Sequence, residues 1–209
     1  MQTSDRSPSI VYWIGNSIYL NITNKCPNRC YFCFRRFKNG IKEFKLKLEK
    51  VPTIEEVIEE LQKVLNKNKW DEIVFCGFGE PLERLDVVLE VTHWVKKQSR
   101  ALVRVDTNGQ GYLLNNGRDV VRELKDAGVD KVSISLNAHN KETYNEICKP
   151  TFENAYENVL DFIKRAKEVG LETEATAVTV SEIEVSRVKE VAEKMGVKFL
   201  SREYISFFW

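Results

Sequence analysis

Two runs near the start of the chain, Val11-Tyr12-Trp13-Ile14 and Ser17-Ile18-Tyr19-Leu20-Asn21-Ile22-Thr23, are rich in β-branched and aromatic residues, with Gly15-Asn16 between them. That pattern predicts a β-hairpin. Two further runs, 35–38 and 41–48, flank Asn39-Gly40 and predict a second hairpin closed by a type I′ turn. From Pro52 onward, strand-like apolar runs alternate with stretches of helical period. Thr53, with Glu56 three residues on, is a capping-box signal for a helix reaching about residue 66. Strands are expected at 72–77, 102–107, 131–137, 172–180 and 198–205, and helices at 82–97, 116–127, 152–169 and 184–195. Gly128, Gly170 and Gly196 stand where a left-handed residue ends a helix. Counted from Ser17, six strands alternate with five helices, which indicates an α/β fold of βα units around a parallel sheet. Active groups are then expected at the C-terminal ends of the strands. No repeat, low-complexity segment or linker divides the chain, so residues 1–209 are expected to form one domain, with 1–10 disordered.

Composition narrows this picture. A chain of 209 residues can bury a full core, and 43% hydrophobic with 30% charged residues is ordinary for a globular protein. The net charge of +1 supplies no global pull toward nucleic acid or membrane. The residues before Ile10 lack an apolar signal region, and no apolar run approaches the roughly 18 residues of a membrane span. A cytoplasmic location with reduced thiols, in a low-oxygen setting, is the expectation.

The chemistry concentrates after the second strand, where Cys26, Cys30 and Cys33 are spaced C-x3-C-x2-C. Pro27 and Asn28 favour a curled loop, and Lys25, Arg29, Arg35 and Arg36 surround it with positive charge that favours thiolate. Three thiolates can hold three irons of a 4Fe–4S cluster and leave the fourth open. Zinc would need a fourth ligand from Cys76, Cys148, His93 or His139, none at familiar spacing. A Cys30–Cys33 redox pair would leave Cys26 unexplained, and disulfides fit poorly with an odd total of five cysteines. The cluster accounts for all three.

Other strand ends add candidates. Cys76-Gly77-Phe78-Gly79-Glu80-Pro81 carries two glycines, which let backbone approach a ligand or adopt positive φ, and a carboxylate that could accept from an ammonium group. Asp106-Thr107-Asn108-Gly109 is a turn whose placement makes Asn108 a cofactor candidate. Along 133–137 the period of two puts Ser133, Ser135 and Asn137 on one face, which suggests a polar lumen. Arg202 and Tyr204 share a face with Leu200 on the last strand. With Cys148 they are candidates for substrate chemistry, although surface placement and a buried structural thiol are the default readings. The basic stretch from Arg35 to Lys50 is read as a solvated face rather than a grip on nucleic acid. The apolar ending Phe207-Phe208-Trp209 could cap the barrel or meet a partner, a second copy in a homodimer included.

The cysteine motif, with aromatic Phe32 before its third cysteine, and Gly77-Phe78-Gly79-Glu80-Pro81 together resemble the radical S-adenosylmethionine superfamily. Phe78 stands where that pattern usually has a glycine. Three stretches, 20–26, 44–48 and 144–150, are similar more narrowly to the small TatD-associated radical proteins of that superfamily. The resemblance implies an open, partial (β/α)6 barrel, here with an N-terminal hairpin and a hairpin insertion after the cysteine loop. It implies a cluster held by Cys26, Cys30 and Cys33, and S-adenosylmethionine on the open iron. A low-potential donor such as ferredoxin or flavodoxin would drive cleavage to a 5′-deoxyadenosyl radical, which abstracts hydrogen from a small substrate. By motif position, Glu80 and the backbone of Gly77, Phe78 and Gly79 would hold the methionine ammonium. Phe32 and Val178 would lie near adenine, and Ser135 or Asn137 near the ribose or the methionine carboxylate. A 7-carboxy-7-deazaguanine synthase-like enzyme is the runner-up, and an iron–sulfur carrier without radical chemistry is the alternative of a different class.

Overall fold

The computed structural model describes residues 7–204, so the expectations for residues 1–6 and for Phe207-Phe208-Trp209 lie outside the described residues. Strands β1 (Val11–Ile14) and β2 (Ser17–Leu20) form the expected antiparallel hairpin. A two-residue ladder, β3 (Gly40–Ile41) with β4 (Phe44–Lys45), follows the cysteine loop. Then come α1 (Ile54–Leu65), β5 (Glu72–Phe75), α2 (Leu85–Gln98), β6 (Leu102–Thr107), α3 (Gly111–Leu114), α4 (Val120–Ala127) and β7 (Lys131–Ser135). The chain continues through α5 (Lys141–Cys148), α6 (Ala155–Glu168), β8 (Glu172–Thr179), α7 (Val185–Lys194) and β9 (Lys198–Glu203). Seven strands make one sheet in the order β1-β2-β5-β6-β7-β8-β9, parallel from β2 onward, as the alternation of elements predicts.

The two faces of this sheet differ in chemistry because its strands alternate with a period of two. Ile18, Leu20, Ile73, Phe75, Val103, Val105, Val132 and Ile134 are fully buried in the main core, against Leu61, Val91, Leu124 and Phe162 of the helices. The opposite face carries Arg104, Asp106, Ser133, Glu174 and Arg202 and is held together by ion pairs and hydrogen bonds. β7 lies between β6 and β8, so its polar serines line a lumen and not an edge. A second, small core of Tyr12, Leu46 and Phe78 sits apart from the main one.

The capping box forms as expected, Thr53 Oγ1 accepting from Glu56 N (3.2 Å) and Glu56 accepting from Thr53 N (2.9 Å). The second hairpin differs from its prediction. Its turn falls at Lys42-Glu43, with Lys42 at φ 50°, because the carbonyl of Asn39 accepts from Leu46 N and Lys47 N and buried Leu46 anchors the return. Residues 34–36 are a 3₁₀ turn, not a strand. The helix expected over 116–127 starts only at Val120, since Gly117 at φ 80° separates it from α3. α5 was not expected; Asn140 caps it by accepting from Thr143 N (2.8 Å), and Lys149, left-handed before Pro150, ends it.

Candidate functional site

Asn21, fully buried just beyond the end of β2, organises the approach to the cysteine loop. Its side-chain carbonyl accepts from Phe78 N (2.8 Å), and its amide donates to Leu46 O (2.7 Å) and Ser9 O (3.0 Å). Asn24 grips the 44–48 strap with its amide, donating to Leu48 O (2.7 Å) and accepting from Leu48 N (3.0 Å). On the far side the loop is tied to the turn after α5. Arg29 N donates to Cys148 O (2.9 Å), Tyr31 N to Ile147 O (3.1 Å), and Thr151 N to Pro27 O (3.0 Å). Behind it, buried Asn28, Gln110 and Tyr144 share hydrogen bonds of 2.7 to 3.1 Å. The stretches 20–26, 44–48 and 144–150 therefore meet at the same loop.

The glycines after β5 are required for a reason the sequence did not disclose. Neither Gly77 nor Gly79 has positive φ. A Cβ on Gly77 would lie 2.3 Å from Asn21 Oδ1, and one on Gly79 would lie 2.4 Å from Lys25 O and 2.5 Å from Thr23 O. They let this loop pack directly on the backbone leading into the cysteines. Glu80 follows, 4% exposed, with Oε1 accepting from Thr107 Oγ1 (2.7 Å) and Leu82 N (3.1 Å) and Oε2 from Asn108 N (2.7 Å). Those three bonds leave one of about four carboxylate acceptor sites open. Among the described residues it makes no ion pair, and burial pushes its carboxyl up to about 7.

Cys26, Cys30 and Cys33 are all half-buried and reduced. Asn108 Nδ2 lies 3.8 Å from Cys26 Sγ, and Arg35 Nε donates to Cys33 Sγ (3.3 Å). The thiols respond differently to this setting. Burial, then the nearby Glu80 carboxylate, pushes Cys26 up to about 12, outweighing the cationic residues expected to lower it. A hydrogen bond from the Cys148 thiol lowers Cys30 and raises Cys148. Cys148 is fully buried, between Cys30 and Asn137 Nδ2 (3.9 Å). Among the described residues no three His, Cys, Asp or Glu side chains gather as ligands of a single metal ion. A pocket of about 630 Å³ opens beside Cys30 and Cys33, rimmed by Arg29, Arg36 and Lys149.

The remaining candidates fall around the same strand ends. Asn137, left-handed at φ 56°, accepts from Val178 N (3.3 Å) and so ties the end of β7 to β8. Ser135 pairs with Thr176 in the ladder at the half-buried end of β7. Phe32 stacks edge-on against Tyr31 at 5.3 Å. Arg202 points across the lumen, donating to Ser133 Oγ (2.9 Å) and pairing with Asp106 (3.4 Å), while Tyr204 N donates to Thr179 Oγ1 (3.2 Å). Arg104, paired with Glu72 (2.9 Å) and Asp106 (2.9 Å), and Lys131, paired with Glu174 (3.1 Å), belong to this lumen and were missed. Their period-two placement was the available signal. Arg35, read from sequence both among the cations around the cysteines and as the start of a solvated basic stretch, turns inward to Cys33 as the first reading has it.

The model of the Radical SAM superfamily matches residues 20–195. Among curated proteins, the probable GTP 3′,8-cyclase of Methanocaldococcus jannaschii is 33% identical over 155 residues, covering 74% of this chain and 46% of the relative. The probable GTP 3′,8-cyclase of Saccharolobus solfataricus is 31% identical over 152 residues, covering 73% and 44%. The chain thus spans about half the length of the curated relatives it matches. Among solved structures, TYW1 with a lysine-pyruvate adduct superposes at TM-score 0.64 with 17% identity, covering 93% of this chain and 66% of that one. Methylornithine synthase PylB superposes at 0.62 with 16% identity, covering 90% and 53%. These two likenesses concern the fold, an α/β partial barrel. With the family match running from the end of β2 to beyond α7, the chain belongs to the radical S-adenosylmethionine superfamily, whose enzymes use a 4Fe–4S cluster and S-adenosylmethionine.

Proposed function

We propose that this chain binds a 4Fe–4S cluster through Cys26, Cys30 and Cys33 and cleaves S-adenosylmethionine reductively to act on a small polar substrate in the lumen. The observation that carries it is Glu80. A buried carboxyl with an open acceptor site and, among the described residues, no cationic partner, beside three half-buried cysteines, suits the ammonium group of the cofactor's methionine. The donor set fits the cluster too, since Asn108 and Arg35 already aim N–H groups at Cys26 and Cys33. When bound, cluster and cofactor together supply one-electron cleavage to a hydrogen-abstracting 5′-deoxyadenosyl radical.

The chain's own part is positioning and exclusion of water. Glu80 and the backbone of Gly77, Phe78 and Gly79 orient the methionine end, with Asn108 fixing Glu80 from the next strand. Phe32 and Val178 flank adenine, and Ser135 or Asn137 meets the ribose or carboxylate. Arg202 and Tyr204 at the end of β9 face the substrate, and a ferredoxin- or flavodoxin-type donor in a low-oxygen cytoplasm supplies the electron. Among the described residues no helix is long and apolar enough to cross a membrane.

The relatives' names raise GTP as a substrate. Against it, the lumen cations Arg104, Lys131 and Arg202 are each already paired with a carboxylate, which leaves them poorly suited to a triphosphate. None of the relatives above carries the 7-carboxy-7-deazaguanine activity, and that alternative gains no support.

Anaerobic reconstitution is expected to load about four irons per chain. Reduction with dithionite should then release 5′-deoxyadenosine from S-adenosylmethionine. Cys30→Ala should lose both properties while Cys76→Ala keeps them. A Cys30→Ala protein with full iron and full cleavage would end this reading.

A further inference from the structure

We propose that Arg35, seated on Phe78, is a positioning residue that staples the cysteine loop and raises the reduction potential of the cluster bound there. The proposal rests on the function above. Arg35 lies in a 3₁₀ turn, Phe34–Arg36, that starts from Cys33. Its Nε donates to Cys33 Sγ (3.3 Å), Nη1 to Asn24 O (3.1 Å) and Nη2 to Asn28 O (3.3 Å). Those two carbonyls flank Cys26 on either side along the chain, so one guanidinium joins the first turn of the loop to its third cysteine.

The guanidinium lies over the Phe78 ring at 5.9 Å, and Phe34 meets the same ring edge-on at 5.8 Å. Phe78 is 8% exposed and packed with Tyr12 and Leu46. The one position where the chain departs from the family's glycine pattern is thus the platform for the arginine. A glycine there would leave the guanidinium without its aromatic seat. Lysine could not replace it, because an ammonium lacks the planar fork that reaches three acceptors at once.

A fixed positive charge and an N–H bond at a ligating sulfur both favour the reduced, more negative cluster. Arg35 makes no ion pair with a carboxylate among the described residues, and the ionisable groups facing it are the thiols of Cys26, Cys30 and Cys33. Its charge is therefore directed at the site and not neutralised on the surface. Because the side chain is always protonated, this contribution does not vary with pH.

The test uses the full chain, anaerobically reconstituted, with Arg35→Gln, Arg35→Lys and Phe78→Leu. Midpoint potential by redox titration and iron loss to a chelator are the readouts. Arg35→Gln should shift the potential negative and speed iron loss, and Arg35→Lys should recover part of the potential but not the retention. Phe78→Leu, which keeps an apolar side chain but removes the aromatic face, should give a smaller negative shift with iron content kept. In the iron-free chain, Arg35→Gln should speed amide exchange at Cys33 and Arg36, whose N–H groups donate to Cys30 O and Cys33 O. Wild-type potential in both Arg35→Gln and Phe78→Leu overturns the proposal. If Arg35→Gln retains too little iron to titrate, an unmoved potential in Phe78→Leu overturns it alone. A wild-type chain that takes up no iron sinks the function itself and is recognisable before any variant is made.

Discussion

Burial makes a carboxyl hold its proton more tightly than in water unless hydrogen bonds or a cation offset it; at Glu80 burial outweighs the three hydrogen bonds that pull the other way, and among the described residues no cation pairs with it. Its folded-state value of about 7 lies above the ordinary 4.5, so the stability it contributes is present below pH 4.5 and lost as pH rises toward 7. The loss should be about 3 kcal/mol in the iron-free chain. Glu80→Gln, which cannot titrate, should flatten this part of the pH profile. Urea unfolding of both proteins from pH 4.5 to 8 measures it, and parallel profiles would contradict the assignment. Adding S-adenosylmethionine to the reconstituted protein should pull the group back toward ionisation, with proton release on binding. The glutamate was legible in the sequence as a candidate. Its hydrogen bonds to Thr107 and Asn108 were not, because they join strands 27 and 28 positions apart.

At the level of elements, the loops around the cysteines are held by backbone fit and amide clamps rather than by apolar burial. Gly79→Ala would drive a Cβ into two carbonyl oxygens and should cost about 2–3 kcal/mol and impair cofactor binding. Gly117→Ala meets nothing within 4 Å, and its φ of 80° alone should cost about 1 kcal/mol, so the pair separates crowding from backbone strain. Equal losses in thermal unfolding would count against the close approach. Asn24→Ala removes two bonds to Leu48 and should cost about 2 kcal/mol, with faster amide exchange across 44–48 while β7 and β8 stay protected. The sequence marked Gly77 and Gly79, but as ligand-facing or positive-φ residues. It missed α5 because eight residues of mixed polarity give too little periodicity to distinguish a helix from a loop.

Across the whole molecule, hydrogen bonds tie the cysteine loop to the end of β5, the 44–48 strap, Gln110 after β6 and the turn after α5, and Tyr31 reaches Glu182 ahead of α7. Loading the cluster should therefore slow amide exchange in those segments more than in α4. Uniform protection, or protection limited to residues 26–33, would argue against this mechanical coupling. The lumen follows the same logic of shared partners. Ser133 receives Arg202 and donates to Glu174, and Asp106 meets both Arg104 and Arg202, so the polar face is one network spanning β6 to β9.

The alternation of periods along the chain determined the βα order, the parallel sheet and the capped first helix, because these depend on local burial patterns and caps that neighbouring residues supply. The C-x3-C-x2-C spacing singled out the loop proposed to hold the cluster, since ligand geometry is set within a few residues. Only the tertiary structure decided that Gly79 serves packing, that Arg35 of the cations around the loop is the one bonded to Cys33, that Cys148 rests against Cys30, and that Arg104 and Asp106 face the lumen beside Arg202. Each of those depends on contacts between distant segments, whose energies arise only when the sheet has brought the strand ends together.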